Sequence, residues 1–157
     1  MSGSHSSGRP PFIGARVYRA TDQTIATDTQ TPLSFSAERY DNGGFWVVGA
    51  PTLLTIPTGL GGYYLVHGNF QISPSGQTLM RQLLIVLNEL TAIAVDRIGV
   101  SGGTTNLGSV ALQASVVWRF AAGDFVTLTV EQSSGGNMDV IASESHSPEF
   151  GLAFLGA

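Results

Sequence analysis

Residues Leu60–Ser73, reading LGGYYLVHGNFQIS, decide how this chain folds. In a β-strand successive side chains point to opposite faces, so the segment divides into two sets. Tyr64, Val66, Gly68, Phe70 and Ile72 share one face and read as core. Tyr63, Leu65, His67, Asn69 and Gln71 share the other. A solvated antiparallel strand would carry polar residues where Tyr63 and Leu65 stand. Both faces therefore need cover, from a second layer of the same chain or from identical neighbours.

The rest of the chain has the same character. Its 157 residues suit one domain with a sizeable core. Twenty Gly, seven Pro and many Ser, Thr and Val favour an all-β architecture with frequent turns. Period-two alternation and turn residues place ten strands, at Ala15–Arg19, Leu33–Tyr40, Leu53–Ile56, Gly62–Ser73, Gln82–Asn88, Ala92–Arg97, Ser109–Phe120, Asp124–Gln132, Asp139–Ser145 and Glu149–Leu155. Turns are expected at Asp41–Gly44, Ser73–Gly76, Ser101–Gly103, Gly123-Asp124 and Ser133–Gly136. The stretch Leu79–Val95 also has apolar residues at helical spacing. Without a cap at either end it reads as a hairpin turning at Asn88-Glu89, with an amphipathic helix as the alternative. Ten strands at this spacing predict a sandwich or jelly roll. Met1–Gly8 reads as an expression-tag remnant, Arg9–Gly14 as a lead-in and Ala15–Ala157 as the domain.

Charge is sparse. Asp, Glu and Arg together make 11% of the residues, against about 25% in an ordinary soluble domain, which implies that part of the surface is covered. Net charge is −4, there is no Lys, and no basic run is present, so nucleic acid is not an expected partner. No apolar stretch reaches the roughly 20 residues of a membrane span, and insertion in a membrane is not expected. The absence of Cys excludes disulfides, thiolate nucleophiles and thiolate metal sites.

The residues available for catalysis are few. Outside the tag-like start the histidines are His67 and His146, no G-x-S-x-G elbow is present, and the clustered histidines of a metal-binding jelly roll are missing. His67 reads as a packed histidine before it reads as a base. Asp41, Asp96 and Asp139, with Glu144 and Glu149, are the carboxylates a calcium site would use. No D-x-[DN]-x-[DN]-G loop accompanies them, so solvated surface charge is their default reading. Trp46, after the Gly43-Gly44 turn, is a candidate for stacking on a sugar, with burial as the competing reading. Asp124 is expected to order the Gly123-Asp124 turn through its side chain.

Four blocks in order carry a family resemblance: ARVYRA with TPLSFSAERYDNGGFW, then PTGLGGYYLVHGNF, then LLIVLNEL, and finally VVWRFAAGDFVTLTVEQSSGG running into PEFGLAFLG. This succession resembles the globular heads of the C1q and tumour-necrosis-factor-like superfamily, and is most similar to the C1q-like domains of bacteriophage and bacterial proteins. The resemblance implies a ten-stranded jelly roll that assembles as a homotrimer. It implies that Tyr63, Leu65, His67 and Asn69 face neighbouring protomers, with Ala153 and Leu155 of the last strand and Phe125 and Thr127 of the Asp124–Gln132 strand. Val126, Leu128, Val130, Phe150, Leu152 and Phe154 are then core. If His67 lines a threefold axis, three imidazoles meet there, and they could bind a metal or an anion, or loosen the trimer when protonated. The expected function is non-enzymatic: trimerising a fibre or surface protein and presenting loops to a host receptor or glycan, on a virion or at a cell surface. A purely structural trimerisation or capsid-decoration module is the alternative.

Overall fold

The computed structural model describes residues 11–74, 80–99 and 108–157. The tag-like start and the turns expected at residues 75–76 and 101–103 lie outside them. The described residues form twelve β-strands and no helix. The strands make two antiparallel sheets, the architecture expected of a jelly roll.

The larger sheet is built around β6 (Gly62–Ile72), the strand quoted above. On one edge β6 pairs along its whole length with β9 (Val110–Phe120). On its other edge it pairs with β12 (Glu149–Gly156) and, at its end, with β11 (Met138–Ile141). β1 (Gly14–Tyr18) follows β12, and β4 (Ala37–Asn42) follows β1. The short β2 (Gln23–Ile25) extends the same layer beyond β11. The second sheet has β7 (Met80–Leu87) between β10 (Phe125–Gln132) and β8 (Thr91–Gly99). The two-residue strands β3 (Thr31–Pro32) and β5 (Leu54–Thr55) share the free edge of β10.

The core lies between the sheets. Tyr64, Val66, Phe70 and Ile72 of β6 are fully buried, as are Val126, Leu128 and Val130 of β10 and Phe150 of β12. Tyr64 is the aromatic centre of one end, with Phe45, Phe120 and Phe154 rings 5.2–5.9 Å away. Its hydroxyl donates to the Leu60 carbonyl at 2.6 Å, which satisfies the one polar atom of a buried ring.

Local chemistry explains the turns. The described part of the stretch expected to be either hairpin or helix, from Met80 on, is the hairpin of β7 and β8, and it turns where Asn88 and Glu89 both take positive φ, 52° and 60°. Three residues, Asn88–Leu90, connect the strands, and the Leu90 N–H closes the turn on the Leu87 carbonyl at 3.0 Å. Asn88 locks the tip to the neighbouring turn: its amide donates to Asp124 Oδ1 at 3.0 Å and its side-chain oxygen accepts from the Phe125 N–H at 2.9 Å. Asp124 Oδ2 accepts from the Ala121 N–H at 2.8 Å, so Asp124 does order its own turn.

The structure differs from the sequence reading at several strands: the short β2 and β3 were not expected. Of the strand expected over Leu33–Tyr40 only the later part is strand, β4 from Ala37, because residues 33–36 carry the chain from β3 in one sheet to β4 in the other with Leu33 and Phe35 buried. The strand expected to run to Ser145 stops at Ile141, and Ser143 to His146 close a tight turn that returns the chain to β12.

Candidate functional site

The outward face of the larger sheet is where the exposed apolar residues gather. Direct cross-strand partners share a face, so the register assembles it residue by residue. Tyr63 is paired with Arg119, Leu65 with Val117, His67 with Ser115, and Asn69 with Gln113. On the other side Ala153 lies beside Leu65, Gly151 beside His67 and Glu149 beside Asn69. Gly151 leads to Arg16 on β1, and Arg16 to Tyr40 on β4. Phe12 packs edge-on against Tyr40 with ring centres 5.6 Å apart.

Eleven large hydrophobic residues are exposed among the described residues, and six of them are on this face: Phe12, Tyr40, Tyr63, Leu65, Val117 and Leu155. Val117 and Leu155 are each more than half exposed. Leu155 reaches the face at a bulge, after Phe154 has turned inward against Tyr64. Concentrating apolar surface on one side of a sheet is the mark of a surface that another molecule covers.

At the centre of the face the side chains are polar and ordered. Gly151 has no side chain, and the His67 ring occupies the space above it: a Cβ on Gly151 would lie 2.7 Å from His67 Nε2 and 2.7 Å from the Ala15 carbonyl oxygen. Arg16 lies on the next strand and pairs with Glu149, Nε to Oε1 at 2.9 Å and Nη2 to Oε2 at 3.1 Å. Arg39 reaches the same carboxylate at 3.2 Å while its guanidinium stacks 3.9 Å over the Tyr18 ring. Glu149 thus holds two arginines from two strands. His67 is held below the usual imidazole value by its burial and by the Arg16 charge, with Glu149 opposing them. Beside it a depression of about 340 Å³ is lined by His67, Asn69, Gln113 and Ser115.

The sequence-predicted contact residues divide cleanly. Tyr63, Leu65, His67, Asn69, Ala153 and Leu155 are together on this face. Phe125 and Thr127 are not, because β10 belongs to the other sheet. Thr127 is 3% exposed, bonded through its hydroxyl to Thr129 at 3.1 Å, and flanked in register by Val86. Alternation fixed which side of β10 entered the core but could not say which sheet held β10. Val117, Arg119 and Arg16 join the face without having been singled out, and Glu149, named only among the calcium candidates, joins it through its ion pairs. Val116-Val117-Trp118 is apolar without alternation, and that loss of period was the available signal of a strand with apolar residues on both faces.

The other candidates have structural roles. Trp46 is 9% exposed and its Nε1–H donates to the Pro51 carbonyl at 3.2 Å, so it is a core residue and not a platform for sugar. Asp41 accepts the backbone N–H groups of Gly44, Phe45 and Trp46 at 2.9–3.0 Å and clasps the turn expected there. Asp96 accepts from the Gln113 N–H at 3.0 Å and Asp139 from the Thr24 hydroxyl at 2.8 Å. The three carboxylates stand on β4, β8 and β11, and among the described residues no three His, Asp or Glu side chains gather as a metal site would require.

No family model matches the chain, and no curated protein matches it. Among solved structures, that of Eiger TNF from S. frugiperda aligns with a TM-score of 0.63 over 93% of this chain and 94% of its own, at 16% identity. A likeness at that identity is one of fold. Together with the strand order it shows that this chain has the C1q/TNF-like jelly-roll fold. No helix among the described residues is long and apolar enough to cross a membrane.

Proposed function

We propose that this chain is a non-enzymatic head domain that associates as a homotrimer through the outward face of its larger sheet and presents its loops to a receptor or glycan. The observation that carries the reading is the gathering of Phe12, Tyr40, Tyr63, Leu65, Val117 and Leu155 on one side of one sheet. Each large side chain of this kind is worth about 1.5–3 kcal/mol when fully buried, and obligate interfaces commonly bury 2,000 Å² or more in total. The low charge content is consistent with a surface partly hidden by copies of itself. The fold supports the reading, since it is shared with a protein described as a TNF.

The setting we propose is a phage tail fibre or a bacterial surface, with the domain on the virion or outside the cell. Light scattering at micromolar concentration tests the assembly: a molar mass three times the 16.4 kDa of the chain is expected, and a monomer overturns the reading. Binding of the isolated assembly to host cells or a glycan array tests the recognition role. Retained assembly without binding would favour the purely structural module.

A further inference from the structure

We propose that His67 makes association between copies acid-sensitive, because it occupies the middle of the face through which they meet and gains a charge beside Arg16 when the pH falls. The inference rests on the self-association reading above.

Position comes first. His67 stands between the apolar end of the face, Tyr63, Leu65, Val117 and Ala153, and its polar end, Asn69, Gln113 and Ser115. A partner that covers both ends covers the ring. The imidazole lies over Gly151, in the space a side chain there would fill, so it is seated on the sheet and forms part of the contact surface itself.

Charge comes second. The groups facing the imidazole are Arg16 from β1 and Glu149 from β12, with uncharged Ser115 opposite and Gln113 diagonal to it on β9. Glu149 is already shared between Arg16 and Arg39. A protonated His67 would be a third cation near one carboxylate. Asp96 stands further off, at the polar end, where it accepts from the Gln113 N–H.

The direction follows from linkage. Burial and Arg16 already favour the neutral ring in a single copy. Association removes more water from it and disfavours the charged form further. The assembly therefore binds fewer protons than its separated copies. Association is at full strength above the already lowered value of the separated copies, where the ring is neutral in both states, and weakens as pH falls below it. In a homotrimer three histidines act together.

Measuring molar mass against concentration at pH 7.5 and pH 5, for the wild type and for His67→Gln, tests this. The wild type should associate at least roughly tenfold more weakly at pH 5, and His67→Gln should associate equally at both. An assembly of unchanged strength at pH 5, or one that weakens alike in both proteins, overturns the role of His67 while leaving self-association intact. A wild-type monomer at both pH values overturns self-association and this proposal with it. Should His67→Gln fail to fold, the wild type answers by NMR. The His67 imidazole should titrate at lower pH above the association midpoint than below it, and equal midpoints overturn the proposal.

Discussion

Gly68 on β6 and Leu128 on β10 meet across the middle of the sandwich: a Cβ added to Gly68 would lie 2.5 Å from Leu128 Cδ1 and 3.1 Å from its Cδ2. Leu128 is fully buried and fills the space a larger residue at position 68 would need. Gly68→Ala should lower stability by about 1–3 kcal/mol through overpacking, and Leu128→Ala by about 2–5 kcal/mol through the cavity it leaves. The double variant should cost less than the sum by at least about 0.5 kcal/mol. Urea denaturation of the four proteins measures the coupling, and strict additivity would contradict the contact.

The tip of the β7–β8 hairpin should respond in opposite directions at adjacent residues. Asn88→Ala removes the acceptor of the Phe125 N–H and the donor to Asp124, and should cost about 1–3 kcal/mol. Glu89 has φ 60° and makes no such bond, so Glu89→Gly relieves a backbone cost of about 1 kcal/mol. The freedom glycine adds to the unfolded chain offsets part of that gain. A thermal melt should place Glu89→Gly above the wild type and Asn88→Ala below it.

Tyr64 sets an alkaline limit. Burial raises its phenol above the ordinary value near 10, so the folded state favours the neutral form. Its contribution is complete below pH 10 and is lost as pH rises through and beyond that value, when the unfolded chain releases the proton more readily. Stability measured from pH 8 to pH 11 should fall more steeply in the wild type than in Tyr64→Phe. Parallel curves would assign the alkaline loss to other groups.

Asp41 acts through hydrogen bonds of the chain itself. Asp41→Ala frees three backbone N–H groups at once, and a loss of about 1–3 kcal/mol is expected. Because Asp41, Asp96 and Asp139 each serve a different local donor, calcium or a chelator should leave the wild-type melting temperature unchanged. A calcium-dependent shift would show that carboxylates of this chain do bind the ion.

These residues also show what a single sequence can and cannot specify. The two faces of β6 were legible because its alternation runs unbroken from Tyr63 to Ile72 and its core set is apolar except for Gly68. Why glycine stands at position 68 was not legible, since nothing local announces Leu128 about sixty residues away. The Asn88-Glu89 turn was legible from turn chemistry. The sheet to which β10 belongs was not, and Phe125 and Thr127 were misplaced with it. Thr127 was expected to face a neighbouring copy, yet Thr127 and Thr129, opposite Val86 and Leu84 in register, are already buried within the single chain. The centre of the face was invisible for a further reason. His67 over Gly151 and Arg16 against Glu149 join residues 84 and 133 positions apart, and only the register of β6, β12 and β1 brings them together.

The central claim is that the outward face of the larger sheet is covered by other copies of the chain, and cysteine labelling tests it most directly. The native sequence has no Cys, so a single introduced thiol reports one position. Val117 on the face and Val48 on a loop are 55% and 78% exposed in one copy. Maleimide labelling at micromolar concentration should therefore modify Val48→Cys rapidly and leave Val117→Cys protected until dilution or denaturant separates the copies. Equal labelling of the two from the start would contradict the claim.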